Sequence, residues 1–149
     1  MQSVDVNVLI YAFNRTSPHH NSAKSFVENG LRNGHRIILF PSVISGFFRL
    51  ATDRRIMTAP AHPDQVLGFM DQLLTSNLVT ISDPGTRVWP GLRTMIARYQ
   101  PRGAEVTDVF LAAAALEAGV QWVSYDRGFA RFSELTWINP ADPDLYTKN

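Results

Sequence analysis

The chain contains no cysteine. Disulfides and thiolate chemistry are excluded, and any bound metal must be held by oxygen or nitrogen. No apolar run approaches the ~18 residues that a bilayer-spanning helix needs. The opening MQSVD lacks the basic lead and long apolar core of a signal peptide, so a cytoplasmic protein without a membrane partner is expected. Charge of one sign is also missing. The net charge is +1, and no tract is basic enough to act as a nucleic-acid arm. Lysine is scarce, occurring only at Lys24 and Lys148, so arginine supplies twelve of the fourteen cations. Its planar fork suits phosphate and carboxylate, although a GC-rich genome produces the same bias. What remains is 149 residues, 45% hydrophobic and 18% charged, the composition of one ordinary globular domain. A domain over residues 1–140 followed by a loose tail over 141–149 is expected.

Short apolar segments alternate with amphipathic ones. RIILF (36–40), LVTI (78–81), QWVSY (121–125) and LTWI (135–138) read as strands, because β-branched and aromatic residues dominate them. Apolar residues at helical spacing predict helices over 21–33, from Pro41 and Ser42 to about 53–55, over 64–76 and over 86–99. A further alanine-rich helix begins at Asp108 and closes at Gly119, well placed as a C-cap. Residues 129–132 form a single turn. VDVNVLIYAF (4–13) stays ambiguous. Propensity makes it one strand, but an unpaired buried carboxylate is costly. The alternative is a short strand ending near Asp5, then a helix capped by Asp5 or Asn7.

Alternating strands and helices predict an α/β fold with a mostly parallel sheet covered on both faces. Right-handed crossovers place the strand C-termini on one edge, outside which ligands bind. Asp5 and Asp126 stand at two such ends, and Asp108 enters a helix that can start from the same edge. Each also has a purely structural account: Asp5 and Asp108 as helix caps, Asp126 as the first residue of an Asp-Arg-Gly turn. Two or three carboxylates, with water and a substrate phosphate, fill the oxygen shell that Mg²⁺ prefers. Such an ion lowers the pKa of a bound water and neutralises charge on a phosphate. Crowded acids repel, so some of their pKa values rise until a cation binds. Asn7, Thr107 and Ser124 are placed to orient carboxylates or cap backbone. Arg49 is placed to meet a phosphate or an acid, or to lie solvated. Arg102 and Arg127 flank these positions with forks suited to a phosphate. Tyr11, Phe48 and Trp89 offer rings for stacking, though core packing suits each of them. A phosphoacceptor domain shares the acidic sheet edge but needs a lysine near the late strands, where this chain has none.

An ordered set of segments runs through nearly the whole chain: VDVNVLIYAF, a helix start containing His20, FFRLATDRRI (47–56), EVTDVFLAAAALEAGV (105–120), SYDRGFARF (124–132) and LTWINP (135–140). Together they resemble the PIN-domain family, and more closely the VapC-type toxins of bacterial toxin–antitoxin systems. The resemblance implies a three-layer α/β/α fold around a five-stranded parallel sheet, with a helix starting just after Asp5. It implies an endoribonuclease dependent on Mg²⁺ or Mn²⁺, with Asp5, Asp108 and Asp126 as catalytic and metal-binding residues. It also implies a VapB-type antitoxin as partner and a homodimer. Arg49 and Thr52 match the family's F-x-R-x-x-T pattern. Two positions depart from it: Gly46, where a glutamate is usual, and Gly128, where D-R-D-F has a second aspartate. Glu105, one turn from Asp108, is an available substitute. The departures raise an alternative, a degenerate PIN domain that binds RNA or antitoxin without cutting.

Overall fold

Five three- or two-residue strands make the middle layer. The computed structural model describes residues 1–142. The strands are β1 (Gln2–Val4), β2 (Ile37–Leu39), β3 (Val79–Ile81), β4 (Gln121–Val123) and β5 (Trp137–Ile138). They lie in the order β3-β2-β1-β4-β5, and every pairing is parallel. The helices are α1 (Val6–Phe13), α2 (His20–Arg32), α3 (Pro41–Thr52), α4 (Pro63–Leu74), α5 (Val88–Tyr99) and α6 (Glu105–Ala118). The architecture expected from strand–helix alternation is therefore present. Among the described residues no helix is long and apolar enough to cross a membrane.

The ambiguous N-terminal segment divides at Asp5. β1 ends at Val4, and Asp5 takes extended backbone (φ −74°, ψ 162°) as the N-cap of α1. Inside a central strand this carboxylate would face a packed layer, whereas at the helix entry it accepts the Val6 amide at 2.7 Å. The apolar residues behind it then form a helix whose Val8, Leu9 and Ile10 are buried. Tertiary packing overrides their strand propensity here.

Other boundaries shift for local reasons. The helix carrying Asp108 starts at Glu105, with Ala104 as a cap that offers no side-chain bond. Tight amide bonds from Val106 to Gly103 (3.1 Å) and from Thr107 to Ala104 (3.2 Å) wind the chain before Asp108 is reached. The segment over 86–99 divides into a 3₁₀ turn, Gly85–Arg87, and α5. Pro90 is tolerated because the first turn of a helix needs no amide there. The turn foreseen at 129–132 is the 3₁₀ segment Arg127–Arg131, and the last strand keeps only Trp137–Ile138. Ala141 and Asp142 bond back to Asn139; the rest of the expected tail, 143–149, lies outside the described residues.

The core sits on both faces of β1 and β4. Phe40, Phe47, Trp122, Phe129 and Phe132 are fully buried, each contributing about 1.5–3 kcal/mol of transfer free energy. Phe40 stacks with Trp122 at 6.2 Å between centroids. Ala112 to Ala115 are all buried, and their small side chains let α6 approach the sheet closely. The strand sequence steps from β1 to β2 to β3, then returns to place β4 on the other side of β1. That reversal sets the switch in strand order at the carboxyl ends of β1 and β4, the place where such sheets bind ligands.

Candidate active site

Val4 is paired with Val123, so Asp5 and Ser124 are the next residues out of two adjacent strands. The Asp5 amide closes the ladder on the Val123 carbonyl at 2.8 Å. Its side chain is buried. Oδ1 accepts from the Val6 amide, and Oδ2 accepts from Ser124 Oγ at 2.6 Å and Asn7 Nδ2 at 3.2 Å. Ser124 Oγ accepts in turn from Asn7 Nδ2 and from the Asp126 amide, both at 3.0 Å. Asn7 Oδ1 accepts from the Tyr125 amide at 3.2 Å. Asn7 and Ser124 thus both donate to the Asp5 carboxylate and hold its orientation.

Burial pushes the Asp5 pKa upward most strongly, and the bonds from Ser124 and the Val6 amide oppose this. The charges of Asp108 and Asp126 push it up further. The three aspartates therefore share one electrostatic field, which an added cation would relieve. All the donors are oxygens of the kind Mg²⁺ and Mn²⁺ accept, and to that extent the residues fit such an ion. Full convergence is absent: among the described residues no group of three His, Cys, Asp or Glu side chains stands ready to hold a metal ion. The reasons are visible. Asp126 Oδ1 caps its own 3₁₀ turn, accepting from the Gly128 amide at 2.7 Å. Asp108, in the first turn of α6, meets the Arg131 guanidinium at 3.2 Å.

Among the described residues, several of the expected groups make no bond to these acids. Thr107, Glu105, Arg102 and Arg127 are exposed. Arg49, in the last turn of α3, is also exposed, and its charge acts on Asp53. Thr52 bonds to the Phe48 carbonyl of its own helix. His20 begins α2 and bonds through Nδ1 to the Tyr11 carbonyl, a packing role. Trp89 is not a core residue, being 57% exposed. Tyr11 and Tyr125 meet edge to face at 5.0 Å, with His19 against both and Ser22 bonded to the Tyr125 hydroxyl.

The two glycine departures have different physical meanings. A Cβ on Gly46 would lie 2.9 Å from Val6 Cγ2, so the branched side chain after Asp5 already fills the space. A Cβ on Gly128 would lie 2.8 Å from Arg131 Nη1 and 3.0 Å from Asp126 Oδ1. Arg131 was not among the residues singled out from the sequence. Its only local signal is its place three residues after a glycine, within one turn. A groove of about 950 Å³ lies away from the acids, lined by Phe13, Val27 and Leu31 and by Gln65, Phe69 and Leu73 of α4.

The PIN domain family model matches residues 3–135 of the chain. The chain is similar to VapC ribonuclease Mb2897 of Mycobacterium bovis, 37% identical over 142 residues, covering 95% of this chain and 97% of that protein. Ribonuclease VapC43 of Mycobacterium tuberculosis is similar to the same extent, 37% identical with 95% and 97% covered. In fold, the chain is similar to the crystal structure of VapBC2 from Rickettsia felis bound to a promoter DNA fragment. The TM-score is 0.67 at 18% identity, covering 93% of this chain and 97% of that one.

Proposed function

The chain belongs to the PIN-domain family and, within it, to the VapC ribonucleases, and from that premise we propose a toxin that hydrolyses RNA phosphodiester bonds with Mg²⁺ or Mn²⁺. The observation that supports this is Asp5. It is a buried, oriented carboxylate at the strand-order reversal, and its proton affinity is raised by burial and by two further aspartates. Asp5, Asp108 and Asp126 would hold the divalent cation. When bound, the cation supplies a water acidic enough to attack phosphorus and neutralises charge on the phosphate oxygens. Ser124 and Asn7 keep Asp5 aimed, and the buried setting of Asp5 limits competing solvation. The cellular context of this reading is the cytoplasm, and the partner is a VapB-type antitoxin. An antitoxin helix suits the groove beside α4, with apolar residues at helical spacing facing Phe69 and Leu73.

A second reading keeps the fold without the chemistry. Gly46 and Gly128 leave two acids fewer than the family pattern, and at Gly46 the space is taken by Val6. Turnover decides between them. Purified protein incubated with total RNA is expected to cleave it with Mg²⁺ or Mn²⁺, and EDTA or Asp108→Ala is expected to abolish cleavage. Cleavage retained by pure Asp108→Ala protein removes Asp108 from the mechanism. An inert wild type favours the binding-only domain.

A further inference from the structure

Among the described residues, the cation that bonds to an acid of this set is Arg131. It closes the 3₁₀ segment Arg127–Arg131, and three contacts hold its guanidinium. Nη2 donates to Asp108 Oδ2 at 3.2 Å, and Nη1 donates to the Gly128 carbonyl at 2.9 Å. The guanidinium carbon lies 4.4 Å from the centre of the Phe132 ring, which is itself buried. A solvated surface arginine has no such hold. Gly128 makes room for it, since Nη1 lies 2.8 Å from where a side chain would begin. Gly128 is not among the residues at positive φ, so space and not backbone conformation is what the glycine supplies. Asp126 Oδ1 lies on the other side of that same point, at 3.0 Å. The guanidinium thus sits between Asp108 and the turn that carries Asp126.

A guanidinium has five donors in a rigid fork, and two bonds are used here. The side chain is 34% exposed, so it is not sealed from solvent. A phosphodiester is the ligand such a fork fits best in a ribonuclease. We propose that Arg131 binds the RNA phosphate at this site, occupying with a cation the volume where the family pattern carries a further acid. This rests on the endoribonuclease reading. Arg131 would then hold Asp108 in place before RNA arrives and exchange part of that bond for a phosphate oxygen afterwards.

Two measurements without turnover test it, on variants whose circular dichroism matches wild type. The first is binding of a fluorescein-labelled single-stranded RNA of mixed sequence in EDTA. Arg131→Gln is expected to weaken binding about tenfold, the loss of one charge-assisted contact. The salt slope is expected to flatten by about 0.7, one phosphate contact on a single strand. Arg131→Lys keeps the charge but not the fork and is expected to recover part of the affinity. The second is Mn²⁺ binding followed by electron paramagnetic resonance, without RNA. Arg131→Gln frees Asp108 from a competing cation, so Mn²⁺ is expected to bind as tightly or more tightly. Gly128→Asp, which displaces Nη1 and adds a carboxylate, is expected to move both readouts the same way. Unchanged RNA affinity and slope, together with weaker Mn²⁺ binding, would mean that Arg131 only tethers Asp108, and the proposal fails. If wild type cleaves RNA while Arg131→Gln binds it normally, only this inference fails. If wild type neither binds nor cleaves RNA, the functional reading beneath it fails too.

Discussion

Replacing Ser124 with alanine removes one oxygen that serves three hydrogen bonds. Its Oγ donates to Asp5 at 2.6 Å and accepts from Asn7 and from the Asp126 amide at 3.0 Å each. Ser124 is fully buried, so solvent does not simply take the vacated place. A hydrogen bond to a charged group is worth about 1.5–3 kcal/mol. Asn7 retains its bond to Asp5 at 3.2 Å, and the Asp126 amide lies nearer solvent, so these two losses add little. Ser124→Ala is therefore expected to cost about 2–3 kcal/mol at neutral pH, a fall of roughly 4–10 °C in melting temperature for a domain this size. The effect should depend on pH, with a definite sign. The Asp5 pKa is raised above its ordinary 3.8, so its contribution to stability is full below that value and is lost as pH rises through the folded-state pKa. The Ser124 bond opposes the rise, and removing it carries the loss further. The difference between variant and wild type should be largest near pH 7. It should shrink as pH falls through the raised folded-state pKa, below which Asp5 is protonated in both and only a neutral hydrogen bond of about 1 kcal/mol is missing. Thermal melts by circular dichroism across that range provide the measurement. A loss below about 0.5 kcal/mol at pH 7, or one equally large at both ends, refutes Ser124 as support for a charged Asp5.

Asp5→Asn keeps the shape of the cap and removes the buried charge, so it should abolish RNA cleavage while raising the melting temperature at pH 7. That gain should fade as pH falls through the raised folded-state pKa of Asp5 toward its ordinary 3.8; a lower melting temperature at pH 7 counts against the desolvation account. Gly46→Ala sets a Cβ against Val6 Cγ2 at 2.9 Å, a stiff β-branched neighbour, and should destabilise by about 1–3 kcal/mol despite alanine's better helix propensity. Adding Val6→Ala should recover much of this, and a double-mutant cycle showing no coupling would mean the two residues do not compete for space. RNA cleavage itself should require a divalent cation and Asp108, with EDTA and Asp108→Ala each reducing it to background.

Local chemistry made much of the fold legible. Pro41 opens α3, and Gly119 ends α6 with φ 64°. Short β-branched runs separated by amphipathic helices could form little but a parallel sheet. The absence of cysteine limits any metal donors to oxygen and nitrogen. These signals lie within a few residues of one another, so no tertiary information is needed to read them. The fate of VDVNVLIYAF was different, because strand propensity and a buried carboxylate pull opposite ways. Pairing of β1 with strands on both sides settled it by giving Asp5 a helix to cap. The start of α6 moved to Glu105 through a turn around Gly103, whose φ of 59° no periodicity announces.

The sequence by itself determined which residue types can do chemistry here, and strand–helix alternation pointed to a parallel sheet with its strand ends on one edge. Only the tertiary structure decided how each acid is held. Asn7 and Ser124 are 117 residues apart and share a bond because β1 and β4 are neighbours. Val6 fills the space beside Gly46 because α1 packs on α3. Arg131 reaches Asp108 because a 3₁₀ turn returns it toward α6. Periodicity and propensity are properties of neighbouring residues, whereas the partner of a buried charge is chosen by crossovers that join distant ones.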